Sequence, residues 1–173
     1  MLKRIQLKNT NLPTDGRVYF WYVNKEGAQQ LGINIDKCFC KNNHYLVYIG
    51  LAKSIYQRLN WHAFDKHSVS SIKSGFLSTL RQTLSALLVG NMNNAEEIVN
   101  NFMDNNMVVD FEVRPDYVEY EKNLILQYDL PLNLRNNKNH PFYQTLKLKR
   151  KESKINTKIN AQVKKQVDLI GIE

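Results

Sequence analysis

The sequence predicts an α+β fold, a small mixed or antiparallel three-stranded sheet flanked by helices and carrying helical insertions. Short β-branched and aromatic runs recur at 18–23, 45–49 and 107–113. Apolar residues repeat at helical spacing over 54–64, 77–90 and 116–128. The chain has 173 residues, 43% of them hydrophobic, which suits one domain with a real core and argues against general disorder.

Val18-Tyr19-Phe20-Trp21-Tyr22-Val23 follows the turn residues Pro13 to Gly16 and reads as the first strand. A polar insert with Gly27 and Gly32 leads to Tyr45-Leu46-Val47-Tyr48-Ile49, a second strand stopped by Gly50. The two form a hairpin with a long connection. Ser54-Ile55-Tyr56-Gln57 has a hydroxyl at the N-cap and a glutamine three residues on, the pattern that starts a helix, here running to about Phe64. On it, Arg58 and His62 lie directly beside the apolar pair Ile55 and Leu59, where a solvated charge pair would take the opposite face.

Lys66 to Gly75 is polar and reads as flexible. Phe76, Leu77, Leu80, Leu84, Leu87 and Leu88 make the core stripe of a helix that ends at Gly90. Asn94-Ala95-Glu96-Glu97 opens another helix, to about Met103, and Met107 to Val113 is a third strand. Asp116 is the expected N-cap of a helix that reaches Tyr128, where Asp129-Leu130-Pro131 breaks it. The organisation expected is a domain over 1–146, with a helical insertion at about 66–106, and a basic segment over 147–173. That segment, with Lys147, Lys149, Arg150, Lys151, Lys154, Lys158, Lys164 and Lys165, is either a solvated tail or a helix whose apolar side is Ile155, Ile159 and Val163.

The formal net charge of +8 favours a polyanionic partner, although solubility alone would account for it. Met1 to Gln6 has no apolar h-region, so no signal peptide is expected. No apolar run approaches the ~20 residues needed to cross a bilayer. Cys38 and Cys40 are one residue apart, too close to pair without strain, and they lack the second pair of a zinc site. They read as reduced thiols of a cytoplasmic protein.

Glu121 is the most informative residue. A helical wheel sets it with Val118, Ile125 and Tyr128 and turns Glu119 away. An ionised carboxylate on a buried face is costly unless a cation or good donors meet it, and an arginine or tyrosine partner would be the structural explanation. The context points to chemistry instead. A carboxylate, a guanidinium, an imidazole and two strand tyrosines would gather on one sheet, as phosphodiester hydrolysis requires.

At Tyr48-Ile49-Gly50 the sequence resembles the GIY-YIG nuclease superfamily. The second tyrosine motif of that family is intact, and the first is degraded to Arg17-Val18-Tyr19, preceded by Gly16. Ala52-Lys53, Arg58 and His62 follow at the family's spacing. Glu121-Lys122-Asn123-Leu124-Ile125, with Pro131-Leu132-Asn133, matches its metal-binding helix. Leu51 stands where repair members carry a lysine, so that role is missing or passes to Lys53. The long link between the tyrosine motifs is more like the restriction enzymes of the superfamily.

The resemblance implies a metal-dependent endodeoxyribonuclease acting on double-stranded DNA, restriction-type in layout and plausible as a homodimer. Glu121 would bind one Mg²⁺ (or Mn²⁺), and Tyr48 or Tyr19 would position or deprotonate water. Arg58 would stabilise the transition state, and His62 would assist proton transfer or hold the phosphate. Asn133 would support the Glu121 helix, while Lys53, Arg58, Lys149 and Arg150 would contact DNA. The rival readings are a non-cleaving nucleic-acid binder on the same fold and a homing or repair-type nuclease.

Overall fold

Strand β2 (Arg17–Val23) is buried at every position, and the sheet is assembled around it. The computed structural model describes all residues except Gly16, Gly75, Phe76 and 171–173, and leaves out the side chains of Val69, Lys73, Ser74, Lys164, Lys165 and 167–170. The five-stranded sheet has the order β1-β5-β2-β4-β3. β2 pairs antiparallel with β4 (His44–Ala52) and with β5 (Met107–Val113). These three are the predicted strands, and all their pairings are antiparallel. Two-residue strands β1 (Leu2–Lys3) and β3 (Cys40–Lys41) extend the edges. The expectation that Gly50 stops the second strand fails, because Gly50 lies within β4, paired opposite Tyr19.

Burial on both sides explains why β2 has no polar alternation. Tyr19, Trp21 and Val23 enter one core with Leu31, Val47, Leu59, Leu84, Phe102 and Val109. Val18, Phe20 and Tyr22 enter a second core with Leu46, Ile49, Leu124 and Ile125. The first core is covered by α1 (Lys25–Leu31), α2 (Ile55–Phe64), α4 (Thr79–Leu88) and α5 (Glu96–Asn106), and the second by α6 (Tyr117–Gln127). α2 starts as predicted, with the Ser54 hydroxyl accepting a hydrogen bond from Gln57 N–H at 3.3 Å.

The connections hold more helix than expected. The polar insert contains α1, closed by Gly32 in the left-handed conformation (φ 63°) that glycine adopts without strain. The stretch read as flexible contains α3 (Val69–Ser74), and α5 runs past Met103 to Asn106. The expected turn at Gly16 and the first stripe residue, Phe76, lie outside the described residues. Leu77 is buried but precedes α4, which Ser78 caps.

α7 (Tyr143–Ile170) makes the basic C-terminal segment helical as far as Ile170, residues 171–173 lying outside the described residues, and packs on α4. Its phase differs from the expected one. Ile155, Ile159 and Val163 are exposed, whereas Leu146, Ser153 and Thr157 are buried. Thr157 Oγ1 accepts from Met92 N–H at 2.8 Å, and Arg150 Nη2 donates to Gln82 Oε1 at 2.9 Å. Polar contacts, which hydrophobic periodicity does not register, set which side faces inward.

α4 is enclosed between the first core and α7, with Leu80 and Leu84 fully buried. The insertion is therefore part of the main core. Leu84→Ala is expected to lower unfolding stability by about 2–5 kcal/mol, read from the urea midpoint. A cost below about 1 kcal/mol would show that α4 is peripheral.

Candidate active site

β2 presents Tyr19 and β4 presents Tyr48 to the α2 side of the sheet, and α2 returns His62 to them. The Tyr19 hydroxyl and His62 Nε2 share a buried hydrogen bond of 2.8 Å. The Tyr48 ring stands 6.2 Å from each of those two rings, centroid to centroid. Space for the Tyr19 phenol exists because β4 is bare opposite it. A Cβ on Gly50 would collide with the hydroxyl end of Tyr19, so the glycine allows the close approach.

Beside Gly50 opens a cavity of about 210 Å³ lined by Tyr19, Tyr48, Arg58 and Glu121, with Thr79, Asn133 and Arg135 at its walls. α6 supplies Glu121, which is buried at 5% exposure, as expected from the wheel. Its companion Val118 does not follow, being 57% exposed. The buried side of α6 is Glu121, Leu124 and Ile125. Among the described residues Glu121 makes no ion pair and no side-chain hydrogen bond. Burial raises its pKa, and the charge of Arg135 partly offsets this.

Arg58 is half-buried, with its guanidinium 4.8 Å from the Trp61 ring centroid. It lines the cavity with Glu121 and forms no ion pair with it. Asn133 braces β4 rather than α6. Its Oδ1 accepts from Ile49 N–H at 2.9 Å and its Nδ2 donates to Ile49 O at 2.8 Å. Together with the Leu132 N–H bond to Val47 O at 3.0 Å, this ties the segment after α6 to the strand that carries Tyr48.

The expected DNA contacts are scattered. Lys53 is exposed and outside the cavity lining, and Lys149 is exposed 3.9 Å from Glu152. Arg150 is half-buried against Gln82, and burial lowers its pKa. Cys38 and Cys40 are free thiols, and burial beside Asp129 pushes Cys38 up to about 12. No helix of the described residues is long and apolar enough to cross a membrane.

Three cavity or near-cavity residues escaped the sequence reading: Thr79, Arg135 and Arg81. Arg81 is fully buried behind α2. Its signal was present, since it falls in helical phase with Leu77, Leu84 and Leu88.

Electrostatics separate the titratable groups. Burial, with the Tyr48 phenol next, raises Tyr19 well above the ordinary phenol value, and burial raises Tyr48 against the opposing charge of Arg58. Burial, then Arg58 and Arg81, pushes His62 down to about 3. His62 is therefore neutral at neutral pH, whereas in the unfolded chain it protonates near 6.5. The unfolded state then binds the extra proton between about pH 6.5 and about pH 3, so stability falls as pH drops through that window. His62→Gln is expected to flatten the decline in urea midpoint between pH 7 and pH 5. An unchanged slope would assign the acid sensitivity to other groups, such as His67, which burial also lowers.

The family model described as GIY-YIG catalytic domain matches residues 17–152, a span that holds both tyrosine strands, α2, α6 and the start of α7. No curated protein and no solved structure matches the chain.

Proposed function

The chain belongs to the GIY-YIG catalytic domain family, a nuclease family, and on that footing we propose that it is a divalent-metal-dependent endodeoxyribonuclease of restriction type, cutting double-stranded DNA. The observation that carries the proposal is the convergence of Tyr19, Tyr48, Arg58 and Glu121 on one cavity.

The donor set suits a hard cation. Among the described residues no cluster of three or more His, Cys, Asp or Glu could hold a metal, which leaves Glu121 as a lone carboxylate, buried and without a protein partner. One carboxylate together with substrate phosphate is the usual way Mg²⁺ is held at phosphoryl-transfer sites. Glu121 would hold Mg²⁺ (or Mn²⁺), which when bound polarises a phosphoryl oxygen and acidifies water.

The remaining work falls to the chain's own groups. In the tautomer that carries its proton on Nδ1, neutral His62 would present Nε2 as acceptor to the Tyr19 hydroxyl, 2.8 Å away. As the phenol oxygen takes a proton from the attacking water, its own proton passes to His62. No free phenolate is required, which agrees with the raised pKa of Tyr19. Tyr48, from the facing strand, orients the phosphate or the water. Arg58 offers its guanidinium to the charge that builds on the phosphoryl oxygens. Lys53, Lys149 and Arg150 would contact the duplex outside the cavity, and a homodimer would set one site on each strand.

Incubation with plasmid and phage DNA, in Mg²⁺ or in EDTA, tests this reading. Discrete bands that appear only with Mg²⁺ are expected. Glu121→Ala should lose at least about 10²-fold in cleavage rate while still retarding DNA in a gel. Retarded but uncut DNA, the same for parent and Glu121→Ala, would identify a non-cleaving binder. A smear would identify a nuclease without sequence preference.

A further inference from the structure

Helix α4 reaches the site from behind. Arg81 Nη1 donates to the backbone carbonyls of His62 at 3.3 Å and Ala63 at 3.1 Å. Its Nη2 donates to Asn100 Oδ1 at 2.8 Å, its Nε donates to His67 Nε2 at 3.1 Å, and Met103 Sδ lies 3.9 Å from Nη1. Every one of these partners is uncharged with His67 neutral. Among the described residues no carboxylate lies within ion-pair distance of Arg81, and Glu96 and Asp65 act on it only through longer-range attraction. A guanidinium at 0% exposure without a direct counter-ion is costly.

A second arginine gives the contrast. Arg4 Nη1 also donates to Ala63 O, at 3.2 Å, but Arg4 is neutralised by Asp104. Two arginines thus hold one turn of α2, and only Arg81 brings an unpaired charge to it. Holding carbonyls needs donors alone, so the missing carboxylate at Arg81 needs a separate reason. The groups facing His62 supply one. They are Tyr19 from β2, Tyr48 from β4, Arg58 and Trp61 from α2 itself, and Arg81 from α4. Asp65 caps the same helix, and the Arg4–Asp104 pair spans the 3₁₀ segment Arg4–Asn9 and α5. Burial and the charges of Arg58 and Arg81 hold the imidazole neutral.

We propose that Arg81 is a positioning residue of the hydrolytic site, which fixes the last turn of α2 behind His62 and, through a charge that no carboxylate pairs directly, keeps that imidazole in the neutral form whose Nε2 is free to accept from the Tyr19 hydroxyl. The proposal rests on the reading of Tyr19 and His62 as the proton path. It also gives the insertion a role, because α4 then forms the rear wall of the site.

Asn100→Asp tests the charge apart from the scaffold. It sets a carboxylate against Arg81 Nη2 and leaves the guanidinium and its carbonyl contacts in place. The His62 ring is followed by ¹⁵N chemical shifts from pH 8 down to acid unfolding, together with cleavage rate against pH. In Asn100→Asp the His62 midpoint is expected to rise by about one pH unit, and the acid limb of the rate profile to move with it, at parent-like melting temperature. Arg81→Met should move both in the same direction and melt lower. If Asn100→Asp leaves the ring titration and the acid limb where the parent has them, Arg81 is only scaffold and the proposal fails. Should the parent cut no DNA, the nuclease reading fails, and the ring titration still decides the role of Arg81.

Discussion

The hydrogen bond between the Tyr19 hydroxyl and His62 Nε2 joins two groups that are both almost fully buried, and the surrounding structure is arranged to make it. Breaking that bond would leave two buried polar atoms unpaired, so the sheet and α2 cannot shift independently. Gly50 clears the space for the phenol, Ser54 fixes where α2 begins, and Arg4 and Arg81 hold its end. Asn133 fixes β4, the strand that carries Gly50 and Tyr48, by both hydrogen bonds of its amide.

This arrangement costs stability. The buried imidazole is kept neutral against its ordinary tendency, the two phenols are kept protonated, and a carboxylate lines a small cavity with no cation among the described residues bonded to it. Each of these is a cost in folding, and under the proposed nuclease reading together they would leave a proton acceptor, hydroxyl groups, a guanidinium and a carboxylate in place before substrate arrives. Preorganisation of this kind supplies transition-state stabilisation without rearrangement at the moment of reaction.

The parts legible in the sequence were those with a strong local signature. The three central strands announced themselves through β-branched and aromatic runs, and α2 through its cap. Glu121 stood out because an acid in phase with Ile125 breaks an otherwise apolar pattern. What escaped was decided by tertiary contacts. α1 is short and carries Gly27 inside it, so its propensity is weak. α7 turns inward the side that hydrogen-bonds to Gln82 and Met92, which carries serine and threonine. The Val118 position depended on a wheel centred slightly wrong. Arg81 was passed over because the leucine stripe around it reads as core; its phase with Leu77, Leu84 and Leu88 marked it for burial, but its carbonyl partners come from distant segments.

Paramagnetic relaxation by Mn²⁺ tests the central claim, that the cavity beside Gly50 is built around a carboxylate for a divalent ion, without relying on turnover. The account predicts that substoichiometric Mn²⁺ selectively broadens the resonances of Tyr48, Gly50, Glu121 and Asn133, and that excess Mg²⁺ restores them. Broadening centred on another surface, with those residues untouched, would contradict it.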